Sequence, residues 1–108
     1  MTRGDIVRLR GPRRAKGQGR EPRGPRYGVV VQASDLLALS TVVVVPTSTR
    51  AQEASFRPAI TVAGTATRAL ADELTAIDGS RVAETVGRLS WQEIGELDRA
   101  LQTVLGLR

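Results

Sequence analysis

Hydrophobic positions along this chain fall into short runs, most of them too brief and too rich in β-branched residues for helices. Residues 4–10 alternate loosely, with Ile6, Val7 and Leu9 set among Asp5, Arg8 and Arg10, which predicts a short half-exposed strand. Two valine-rich runs follow, at residues 27–32 and 41–45. Both are apolar at consecutive positions, so both faces need cover, as in the central strands of a sheet. Between them, Ser34 to Leu39 reads as a short helical turn capped by Ser34 or Asp35, and Pro46 ends the second run. Residues 56–62 read as an edge strand, because Pro58 has no N–H for an interior ladder. Residues 67–77 leave two readings open. Leu70, Leu74 and Ile77 have helical spacing, whereas Gly64 and Asp78-Gly79 suit strand boundaries. Residues 82–88 make a last short strand.

The end of the chain carries the clearest local signal. Ser90 and Glu93 stand three apart, the spacing of a capping box in which each side chain satisfies a free N–H of the first helical turn. Ile94, Leu97, Leu101, Val104 and Leu105 then form an apolar stripe to be buried on the sheet, and Gly106 suits the left-handed residue that ends a helix. The exposed face, with Gln92, Glu96, Arg99 and Gln102, shows no cofactor signature. The pattern predicts a mainly β (α+β) domain closed by one C-terminal α-helix.

With 108 residues and 41% apolar content the chain suits one domain, spanning 1–108, with a modest core. Tyr27, Phe56 and Trp91 are its three aromatics, too few for a multi-base stacking platform. The sequence has no Cys and no His, which removes thiolate and imidazole catalysis and zinc sites with Cys or His ligands. No metal or other cofactor is expected. The apolar run Val42 to Val45 is far too short to span a membrane, and no signal-peptide pattern opens the chain, so the expected location is cytoplasmic.

Charge changes this picture most. Residues 1–26 hold nine basic and two acidic groups, a net of +7, whereas residues 27–108 are net −2. Much of the excess lies in residues 11–25, whose four Gly and three Pro exclude a packed element and predict a flexible cationic loop. A field of this kind attracts a polyanion and releases counterions from its phosphates. The glycines at 17, 19 and 24 precede no helix, so they do not form a nucleotide-binding phosphate loop.

Four segments in order resemble the MazF/PemK/CcdB superfamily of bacterial toxins. They are Arg3-Gly4-Asp5-Ile6-Val7; Gly19-Arg20-Glu21 with Arg26-Tyr27-Gly28-Val29-Val30-Val31; Val44-Val45-Pro46-Thr47-Ser48-Thr49; and Ile77-Asp78-Gly79-Ser80-Arg81-Val82 through Val86-Gly87-Arg88-Leu89-Ser90 to Leu105-Gly106-Leu107. Together they cover most of the chain. The resemblance implies an SH3-like barrel of bent antiparallel strands with a C-terminal α-helix, dimerised so that RNA lies across the interface. Tyr27 stands where the family normally has Pro, Thr75 where many members have a basic residue, and of the Arg-x-Asp pair of PemK-like members only Asp72 is present.

The same resemblance implies a toxin of a toxin–antitoxin system: a sequence-selective, metal-independent endoribonuclease acting on single-stranded RNA. Such chemistry proceeds without histidine when the RNA 2′-OH attacks its own phosphorus, leaving a 2′,3′-cyclic phosphate and a 5′-OH. The protein then positions the phosphate and stabilises its developing charge. By resemblance, Arg26 supplies the guanidinium and Ser48 the hydroxyl, with Thr47 and Thr49 as alternatives in register. The proton acceptor stays open between Glu21 and Asp72, since arginine is too weak a base. Arg13, Arg14, Lys16, Arg20, Arg23 and Arg50 are candidate RNA contacts, with Asp72 at the same groove. Expected partners are the RNA, a second copy of the chain in a homodimer, and a cognate antitoxin whose acidic disordered segment competes for the groove, with no membrane. Two other classes remain: a gyrase poison like CcdB, and a non-catalytic SH3-like RNA- or DNA-binding module.

Overall fold

The computed structural model describes residues 1–10 and 26–107. Their strands are β1 (Asp5–Leu9), β2 (Arg26–Val30), β3 (Thr41–Ser48), β4 (Ala59–Val62), β5 (Thr65–Ala69), β6 (Thr75–Asp78) and β7 (Val82–Arg88), followed by the helix α1 (Trp91–Leu105). All strand pairs are antiparallel, in the order β4-β5-β3-β2-β1-β7, with β6 also against β3. The result is a strongly bent sheet with one C-terminal helix, the mainly β class expected.

The valine runs explain the bend. Val29 and Val45 join Ile6, Leu97 and Leu101 in one apolar cluster, whereas Val30, Val42 and Val44 join Val7, Leu9 and Ile77 in a second. Consecutive strand residues point to opposite faces, so the central strands are covered on both sides. The largest fully buried side chains are all valines, at 7, 29, 30, 42, 44 and 45. β1 is accordingly more buried than half-exposed, being flanked by β2 and β7, with only Arg8 partly open.

Other expectations need correction. The turn at Ser34–Leu36 is a 3-10 turn capped by Ala33 without a side-chain hydrogen bond; Ser34 Oγ instead accepts from Arg3 N at 2.9 Å. The buried Gln32 amide organises this connection, donating to Leu36 O at 2.7 Å and accepting from Val43 N at 2.9 Å. Residues 67–77, open between two readings in the sequence, form no helix on the Leu70, Leu74 and Ile77 spacing; the strand reading holds, with β5 and β6 separated by a single 3-10 turn at Ala71–Glu73. Pro46 does not end its strand either, because β3 runs on to Ser48. Val44 is the last residue paired with β6 and Thr47 the first with β5, so the missing N–H falls between two partners.

In α1 the capping box forms as the spacing predicts, with Glu93 N donating to Ser90 Oγ at 3.1 Å and Ser90 N to Glu93 Oε1 at 2.8 Å. Gly106 closes the helix at φ 69°. Leu97, Ala100 and Leu101 are buried, Ile94 and Val104 pack beside them, and Leu105 is 50% exposed, so the stripe ends one residue earlier than expected, at Val104. Glu93 also accepts from Thr61 N of β4 at 2.9 Å through its second oxygen. Ser90→Ala is therefore expected to cost about 1 kcal/mol. Glu93→Ala should cost more, since it orphans donors on two elements. Urea denaturation of both variants checks the order.

Candidate active site

The change of partner along β3 places a cluster of polar side chains at its C-terminal end. The β2–β3 pairing ends at Gly28 with Pro46, and Arg26 stands two residues before Gly28 while Ser48 stands two residues after Pro46. On the other edge of β3, Thr47 pairs with Ala69 and Ser48 with Arg68. Directly opposed residues share a sheet face, so Ser48 and Arg68 lie on one face and Thr47 points to the other, while Arg26 begins the strand that runs along the other edge of β3.

The hydroxyls of the cluster differ accordingly. Thr47 is half-buried, and its Oγ1 donates to Tyr27 O at 3.4 Å, a bond that ties β3 to β2. Ser48 Oγ accepts from Arg50 N at 3.1 Å and so closes the turn after the strand, while its own hydrogen can still be donated. Thr49, Arg50 and Arg26 are exposed. Arg26 and Ser48 lie on neighbouring strands, at the start of β2 and the end of β3, and Thr49 and Arg50 lie in the adjoining turn.

A second charged group stands beside this cluster. Arg57 grips Asp72 with both prongs, Nε to Oδ1 at 3.0 Å and Nη2 to Oδ2 at 2.8 Å. These hydrogen bonds hold the Asp72 carboxyl below its ordinary range, against a smaller opposing effect of desolvation. Asp72 is ionised at neutral pH and, with both oxygens engaged, is a weak proton acceptor. Arg57 also stacks its cation 5.7 Å from the Phe56 ring centre. Its carbonyl accepts from Arg68 Nη1 at 2.7 Å, and Arg68 Nη2 lies 3.8 Å from Glu53 Oε2.

Sequence reading missed Arg57 and Arg68. Arg57 stands 15 residues from Asp72, with no local spacing to betray the pair. Arg68 would have emerged had residues 65–69 been read as a strand, because its place opposite Ser48 follows from register.

The Arg3-Gly4-Asp5 opening sits at the other end of β1 from Leu9, the partner of Arg26. Its contacts are structural. Arg3 donates to Val31 O and Asp98 Oδ1, both at 2.8 Å, tying the N-terminus to β2 and α1. Gly4 has φ 96°, and a side chain there would meet Ile94 Cδ1 at 3.1 Å. Asp5 accepts from Thr2 N at 2.8 Å and Arg88 Nη1 at 2.9 Å.

Arg13, Arg14, Lys16, Arg20, Glu21 and Arg23, with the basic loop they belong to, lie outside the described residues. Among the described residues no three Asp or Glu side chains are grouped to hold a metal ion, and no helix is long and apolar enough to cross a membrane.

An antiparallel sheet with one C-terminal helix matches a known class. Residues 2–105 match the PemK-like, MazF-like toxins of type II toxin–antitoxin systems, and the chain belongs to that family. It is 41% identical over 91 residues to a toxin candidate of Mycobacterium tuberculosis, covering 83% of this chain and 85% of that one. Among solved structures, a mycobacterial endoribonuclease in complex with its cognate antitoxin superposes with a TM-score of 0.79 at 18% identity, over 100% of this chain and 97% of the other. MazF of Deinococcus radiodurans superposes at 0.77 with 24% identity, over 98% and 96%. At those identities the two structures speak to the fold alone.

Proposed function

We propose that this family member is a metal-independent endoribonuclease that cuts single-stranded RNA through attack of the 2′-OH on the adjacent phosphorus. The observation that carries the reading is Ser48 at the end of β3, paired with Arg68 of β5 on one edge, with Arg26 at the start of β2 along the other edge. A phosphate over Ser48 meets a hydroxyl donor and a guanidinium, the groups needed to hold it in line and to offset the charge of a pentavalent transition state. Arg26 is the charge-stabilising residue and Ser48 the positioning hydroxyl. Thr47 is second to Ser48 because it faces the other way and already serves Tyr27 O. Asp72, locked to Arg57, is set aside as the base. That leaves Glu21 as the carboxylate candidate for the proton.

The net of +7 over residues 1–26 supplies the attraction for a polyanion, with Arg13, Arg14, Lys16, Arg20, Arg23 and Arg50 as backbone contacts. The chain works as a homodimer in the cytoplasm, and a cognate antitoxin with an acidic disordered segment competes for the same basic groove. The named activities of the structural relatives are consistent with this reading.

Incubated with a diverse pool of single-stranded RNA in EDTA, the protein should release fragments with 5′-OH ends, and a single 2′-deoxy nucleotide at the cut site should abolish cleavage there. Salt-sensitive binding with no cutting would instead make it a nucleic-acid-binding module. Continued cutting at the deoxy site would rule out 2′-OH attack.

A further inference from the structure

We infer that Arg68 is a second phosphate contact, one that grips the phosphodiester next to the one being cleaved and so fixes the RNA in register over Ser48. The inference rests on the ribonuclease reading above. Three observations converge on it. Arg68 pairs directly with Ser48 across the β3–β5 ladder, and β2, which Arg26 begins, runs along the other edge of β3. The strands that carry the two arginines are two spacings apart, roughly 10 Å between backbones, and each arginine has a long arm. That separation suits neighbouring phosphates of one strand better than a single phosphate.

Secondly, the guanidinium is held in advance. Arg68 Nη1 donates to Arg57 O at 2.7 Å, and Arg57 is itself fixed by its two-pronged bond to Asp72. Ala69 N donates to Pro58 O at 3.0 Å and locks the same loop onto β5. The bond to Arg57 uses one of five guanidinium N–H donors, leaving the rest of the fork to meet oxygens. Thirdly, the side chain is 26% exposed, so it is partly withdrawn from water yet reachable, and its acidic neighbour Glu53 is 86% exposed and only 3.8 Å away, easily displaced by a phosphate. A tethered cation of this kind binds substrate and transition state alike, so it acts on affinity more than on turnover.

The test is titration of the full-length protein with a fluorescent single-stranded RNA carrying a 2′-deoxy nucleotide at the cut site, over a series of salt concentrations, beside steady-state cleavage of the all-ribo substrate. Arg68→Ala should weaken binding about tenfold and flatten the log–log salt dependence by about 0.7, the increment for one single-strand phosphate. KM should rise to match while kcat stays within about threefold. Arg68→Lys should recover most of the salt slope but only part of the affinity, since it keeps the charge and loses the fork. An unchanged slope in Arg68→Ala, or a fall confined to kcat, overturns the assignment. So does a variant that loses affinity only in proportion to lost thermal stability, with Arg68→Lys and Arg68→Gln behaving alike. Failure of the unaltered protein to bind or cut RNA is a separate result, and it removes the ribonuclease reading together with this one.

Discussion

Arg26→Ala is expected to lower kcat for RNA cleavage by a hundredfold or more, about 3 kcal/mol of transition-state stabilisation, while leaving the melting temperature nearly unchanged. The two halves of that result have separate causes. Arg26 begins β2 with an exposed side chain, so its truncation opens no cavity and breaks no described ion pair. Its chemical loss is large because a guanidinium presents two donors to the non-bridging oxygens just as their charge grows. Arg26→Lys should recover only part of the rate, since one ammonium cannot span both oxygens. Single-turnover cleavage with saturating enzyme isolates the chemical step. A rate within threefold of wild type would move the charge-stabilising role elsewhere, and toxicity retained by Arg26→Ala in cells would favour a gyrase-poisoning mode.

Asp5→Ala should behave in the opposite way, costing about 2 kcal/mol of stability. The Asp5 side chain is 12% exposed in its pair with Arg88, and it accepts from a backbone N–H and a guanidinium. Arg88 is 53% exposed and returns readily to water, which keeps the loss below that of a fully buried pair. Burial pushes the Asp5 carboxyl up, but the hydrogen bonds from Thr2 and Arg88 and the charge of Arg88 together outweigh it, so the net pKa is below the ordinary 3.8. A carboxyl with its folded pKa depressed contributes fully above its unfolded value and loses that contribution as pH falls through the folded one. Wild type should therefore lose stability in acid below about pH 4, and Asp5→Asn should be less stable at neutral pH with a shallower acid loss. Urea titrations at pH 7 and pH 3 compare the two slopes. Identical acid losses would mean that Asp5 is not a contributor.

These two outcomes also separate what the sequence made legible from what it did not. The cap of α1 was legible because Ser90 and Glu93 meet within one turn, and the central strands because unbroken valine runs require two buried faces. Residues 67–77 stayed open between helix and strand for a physical reason. Leu74 and Ile77, spaced as if on one helical face, pack in different clusters on opposite sides of the sheet, and Leu70 lies between elements. Pro46 misled because β3 exchanges one neighbour for another at that point, and a proline tolerated between partners is invisible to local rules. At the candidate site, Arg26 and Ser48 were found by resemblance, and the fold sets them on the neighbouring strands β2 and β3. Arg57 and Arg68 escaped because what binds them to Asp72 and Ser48 is a fold-dependent approach between distant segments.

One side chain of the capping box has a consequence for the solution behaviour of the whole molecule. β4 is the last strand of its sheet, and an unpaired outer rim of this kind is where strands of other copies add on and start aggregation. Glu93 occupies the Thr61 N–H on that rim with a carboxylate. An incoming strand would have to displace a charged acceptor and unfasten the first turn of the helix to dock there. The residue that caps α1 thus also guards this N–H of β4 against strand addition.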